Sequence, residues 1–112
     1  MNDDIIITTM NDLPGYEVVD VYGEVFGLIV RARNAFSNIG AGLRTIVGGE
    51  AKGYTKLLSE SRTHAVDRLK DAARERGANA VIAMRFDCNE IGDIMSEVAA
   101  YGTAVSVRRV GG

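Results

Sequence analysis

Six side chains carry what chemistry this sequence offers: Cys88, His64, Arg62, Glu24, Glu97 and Tyr101. A cysteine thiolate and an imidazole are soft-metal ligands, so Cys88 and His64 form the candidate pair for capture of a heavy metal such as zinc or copper(I). One cysteine and one histidine in 112 residues is a thin stock of ligands. A metal site would have to gather copies from several chains around an axis. The alternative for Cys88 is a small apolar side chain packed beneath Phe86, the usual place of a free cysteine.

Arg62 lies about 40° from the centre of the apolar stripe of the helix that carries it, whereas His64 lies about 120° away, at a boundary or in solvent. A guanidinium so placed needs a carboxylate, which Glu24 or Glu97 could supply within or between subunits, or it snorkels past the apolar edge. With Arg62 holding an anionic group and Glu24 or Glu97 as base, the set would suit a small hydrolase or isomerase. For nucleophilic catalysis His64 would need Cys88 or a serine within hydrogen-bond reach and an orienting group, and the sequence does not place these together. The expectation is therefore a protein without enzymatic activity.

Two loops resemble ligand-binding motifs and fail on inspection. Gly40 to Gly49 lacks the Gly-Lys-Ser/Thr end of a phosphate loop and the third glycine of a dinucleotide loop. Asp87 to Asp93 begins like a calcium loop, but Ile91 falls where an oxygen ligand belongs and Val98 where a bidentate glutamate does.

The elements that must position these residues follow from periodicity. Ile5 to Thr9 is β-branched and predicts an edge strand, with a turn at Leu13-Pro14-Gly15. Tyr16 to Arg31 predicts a long strand with Val19, Val21, Val25 and Ile29 on one face and Tyr22, Glu24, Phe26, Leu28 and Val30 on the other. Gly23 and Gly27 within it predict a bulge, a bend or a close backbone approach. Asn34 to Gly49 predicts a short helix. Glu50 to Arg76 predicts a long amphipathic one, with Tyr54, Leu57, Leu58, Ala65, Leu69 and Ala72 on its apolar face. Asn79 to Cys88 and Glu97 to Arg109 predict a hairpin across a polar connection. The first strand carries Ala80, Ile82, Met84, Phe86 and Cys88 on its core face; the second carries Ala99, Tyr101, Val105 and Val107 on one face.

The fold class is α+β, a small curved antiparallel or mixed sheet with helices on one side, forming one domain over residues 1–112. Apolar residues make up 46% of the chain and charged residues 25%, a globular balance. The net charge of −2, from 13 basic and 15 acidic residues, gives no field to gather nucleic acid or an anionic membrane. Acids at Asp3 and Asp4, a single cysteine and the lack of a long apolar run lead to the expectation of a cytoplasmic protein. A sheet greasy on both faces, with helices for only one, points to a homo-oligomer.

Ordered short matches then carry a family resemblance: Thr8-Thr9, Leu13-Pro14-Gly15-Tyr16, Val25-Phe26-Gly27, Arg31-Ala32-Arg33-Asn34, Ile46-Val47-Gly48-Gly49-Glu50, Tyr54, Arg62, Gly77-Ala78-Asn79-Ala80-Val81 and Tyr101-Gly102-Thr103-Ala104-Val105. Over nearly its whole length the chain resembles the YbjQ family of small bacterial and archaeal proteins, which carry a heavy-metal-binding label. The resemblance implies a dodecin-like β-α-β-β subunit, a ring that is most often a pentamer, and no established enzymatic activity. The doubly apolar strand leads to the expectation of a ligand, a metal ion or small metabolite, at subunit interfaces or on the ring axis. The resemblance brings no set of cysteines and histidines that maps onto Cys88 or His64.

Overall fold

A computed structural model of the chain describes residues 5–32, 52–91 and 95–111. Within them β1 (Ile6–Ile7), β2 (Tyr16–Ala32), α1 (Lys52–Glu75), β3 (Ala80–Ile91) and β4 (Met95–Arg109) follow one another along the chain. The four strands form one open sheet in the order β1-β3-β4-β2. β1 runs parallel to β3, and the other pairs are antiparallel. The sheet is thus mixed, with α1 packed on one face, and the fold is α+β. The helix expected over Asn34 to Gly49, with its glycine-rich stretch, lies outside the described residues.

β2 and β4 pair over almost their full length, and β2 has two register shifts, between Val18 and Asp20 and between Val21 and Gly23. Each leaves one residue of β2 without an opposite partner, so alternation slips twice. The period-two grouping of Val19 and Val21 with Val25 and Ile29 is overturned for that reason. Val25 and Ile29 are buried under α1, whereas Val19 and Val21 are exposed. Tyr22, expected beside Phe26, turns instead to the helix side, where its hydroxyl bonds Ser106 Oγ at 3.1 Å. Gly23 sits at the second shift with φ +96°, a conformation that disfavours any side chain.

Gly27 has a different task. A Cβ placed there would lie 2.0 Å from the Ala65 carbonyl oxygen and 2.4 Å from the Leu69 nitrogen, so α1 crosses β2 with backbone almost on backbone. The helix meets this crossing with a stripe at i, i+4 spacing, Ser61, Ala65, Leu69 and Ala73, all fully buried. The sheet answers with Val98, Ala100 and Ala104 from β4. Small residues on both sides make close packing possible. The apolar stripe is thus centred on Ala65 and Leu69 as expected, while Leu58 is left 38% exposed.

β3 has an irregularity between Ile82 and Arg85. Ala83 adopts φ +55° there, an uncommon state for a residue with a Cβ, and its N–H donates to the Met10 carbonyl at 2.7 Å. The bulge switches faces. Val81, Met84 and Phe86 join the core under α1, while Ala80 and Ile82 join Val105, Val107, Leu13 and Tyr16 in a second cluster on the opposite face. The expected single core face from Ala80 to Cys88 is corrected accordingly. That second cluster also shows the outer sheet face to be covered at one end, by the turn at Leu13 to Tyr16, where no cover was expected.

Candidate functional site

The two faces of the sheet divide the candidate residues between them. On the outer face, pairing sets Phe26 beside Tyr101, Leu28 beside Ala99, and Asp87 on the far side of Ala99. Glu24, Glu97 and Asp87 rim a shallow hollow of about 420 Å³ whose floor is Phe26, Leu28, Ala99 and Tyr101. Glu97 accepts a hydrogen bond from Asn89 Nδ2 at 3.2 Å. Period-two alternation is intact across this region, which is why residues of three strands meet on one surface. Phe26 is 52% exposed, Leu28 43% and Val30 50%.

On the helix side, Arg62 lies over the Phe86 ring with its guanidinium carbon 4.9 Å from the ring centre. This cation–π contact holds a charge above an apolar floor. It forms one wall of a groove of about 620 Å³ between α1 and β3, lined also by Leu58, Ser59, Val66 and Lys70. On the other flank of α1, Arg31 of β2 donates from Nε to the buried Ser61 Oγ at 2.8 Å, and its Nη2 lies 3.4 Å from His64 Nδ1.

The structure therefore brings Glu24, Glu97 and Tyr101 together and keeps Arg62 apart from them, across the sheet. Neither glutamate serves Arg62 within the chain; Phe86 does. Phe86 and Asp87 were missed as site residues, although adjacent strand residues must face opposite ways, and Arg62 on the apolar flank required some partner. Cys88 is exposed, not packed beneath Phe86. β3 lies on one flank of α1, while His64 is turned to Arg31 on the other, so Cys88 and His64 do not converge. Among the described residues no three of His, Cys, Asp and Glu come together in a way that could hold a metal ion. Asp87 to Ile91, the start of the stretch rejected as a calcium loop, is strand paired to β4.

Comparison with known proteins supplies the class. Residues 5–108 match the YbjQ family, described as "putative heavy-metal-binding". The chain is 55% identical over 107 residues to a UPF0145 protein of Streptomyces griseus, covering 96% of this chain and 88% of the relative. It is 51% identical over 108 residues to a UPF0145 protein of Lactococcus lactis subsp. cremoris, covering 96% and 99%. The chain belongs to this YbjQ family. A crystal structure of a protein of unknown function from Pediococcus pentosaceus, placed in the DUF74 family, superposes with TM-score 0.49 at 18% identity, covering 93% of this chain and 98% of that one. None of these descriptions names a reaction. Among the described residues no helix is long and apolar enough to cross a membrane.

Proposed function

We propose that the protein is a non-enzymatic homo-oligomer, a pentameric ring in the cytoplasm, that binds a small ligand where its subunits meet. The observation that carries this reading is the row Phe26, Leu28 and Val30 on the outer face of β2, each 43% exposed or more beside the half-buried Tyr101. At ~3.3 Å per residue the 17 residues of β2 extend for about 56 Å, while the 24 residues of α1 reach only about 36 Å. Among the described residues α1 shields one face of this ribbon and no second helix lies on the other. Contiguous apolar surface of this kind is uncommon on a monomer and ordinary at a subunit contact.

Sedimentation velocity on the wild type and on Phe26→Asp tests the reading. The wild type should run at several times the 12.0 kDa subunit mass at micromolar concentration. The variant should shift toward the single subunit, because an aspartate on the apolar floor must be desolvated in the contact. A wild type that sediments as one subunit overturns the oligomer.

A further inference from the structure

The outer face and the groove beside α1 carry opposite charge on similar apolar floors. Glu24, Asp87 and Glu97 rim the first; Arg62 and Lys70, with the single acid Asp67, line the second. We propose that the outer sheet face of one copy seats on the β3-side flank of α1 in the next, so that Arg62 and Lys70 meet the carboxylates of the neighbouring copy. The inference rests on the oligomeric reading above and specifies which surfaces mate.

Charge decides among the arrangements open to a second copy. Outer face on outer face would set three carboxylates against three, and flank on flank would set cation against cation; like charges so juxtaposed disfavour both. Face on flank pairs opposite signs. Two charges reduce the contrast without reversing it: Arg85, opposite Tyr101, leaves three acids against one base on the outer face, and Asp67 leaves two bases against one acid on the flank. Addition of a strand at the edge of β2 is hindered as well, because Arg68 and Arg76 of the α1 region donate to the Leu28 and Tyr22 carbonyls of that edge strand, at 2.7 Å and 2.6 Å. Two different surfaces in contact make a heterologous interface, which closes into a ring when the rotation allows. Arg62 suits the joint. Phe86 stacks beneath the guanidinium and fixes its orientation, leaving its donors for a carboxylate fork.

Cross-linking tests this in a Cys88→Ser background. Leu28 lies on the outer face and Leu58 on the groove, 43% and 38% exposed. Leu28→Cys and Leu58→Cys chains, mixed and allowed to exchange subunits, should give dimers with a short bis-maleimide, and neither variant alone should do so. Dimers from Leu28→Cys alone, or none from the mixture while the protein remains assembled, would overturn the head-to-tail contact and leave the oligomer standing. A wild type found as a single subunit removes both. As an independent readout, Arg62→Glu should weaken assembly about tenfold or more, and adding Glu24→Arg with Glu97→Arg should restore it. Weakening without restoration contradicts the pairing.

Discussion

The two faces of one sheet are built to opposite rules. Under α1 the residues are small: Gly27, Ala65, Ala100 and Ala104 let the helix and strand backbones approach to the limit, with Leu69 as the largest fully buried side chain. On the outer face the residues are large, and Phe26, Leu28 and Val30 stand in the open. The subunit's core therefore lies mainly in this close contact under α1, with a smaller cluster around Val105 at one end of the outer face. The rest of that face, around Phe26, Leu28 and Val30, is apolar surface that gains nothing until something covers it.

Substitutions on the two faces should consequently differ in kind. The largest effect belongs to Gly27→Val, which drives side-chain atoms into the backbone of α1 at Ala65 and Leu69. We expect a loss of more than about 4 kcal/mol, or no folded protein, in urea unfolding. Smaller is Ser61→Ala, which removes the buried acceptor of Arg31 Nε and should cost about 1 kcal/mol by the same measurement. Smallest is Phe26→Asp measured on dissociated subunits at high dilution. There the change should stay within about 0.5 kcal/mol, since the side chain is 52% exposed and outside both apolar clusters. A large loss at Phe26 in the isolated subunit would erase the distinction between the faces.

Much of this division could be read from the sequence. β2, α1 and the β3–β4 hairpin appear close to their expected limits, because each has a long periodic pattern and the alternation from Glu24 to Arg31 is unbroken. Gly27 was legible as a close approach, though not which element would approach. Reading failed where a strand changes phase without a compositional signal. Ala83 takes a positive φ that nothing in Ile82-Ala83-Met84-Arg85 announces, and Val19 and Val21 are displaced by bulges beside them. The site was legible in part for the same reason. Glu24, Glu97 and Tyr101 lie beyond the bulges, so counting by twos grouped Glu97 with Tyr101 and Glu24 with Phe26, while only strand pairing set the two groups on one face. Cys88 kept the parity of Phe86, yet it stays exposed because α1 packs mainly over β2 and β4. Arg62 called for a carboxylate or for snorkelling past the apolar edge; it is exposed, with its guanidinium over the Phe86 ring.

The central claim is that sister chains cover the outer sheet face, and hydroxyl-radical footprinting of Phe26 in the wild type at rising protein concentration reads that face directly. The account predicts that Phe26 is labelled freely at high dilution and becomes protected as the assembly forms. Labelling of Phe26 as fast as in the denatured chain at every concentration would contradict it.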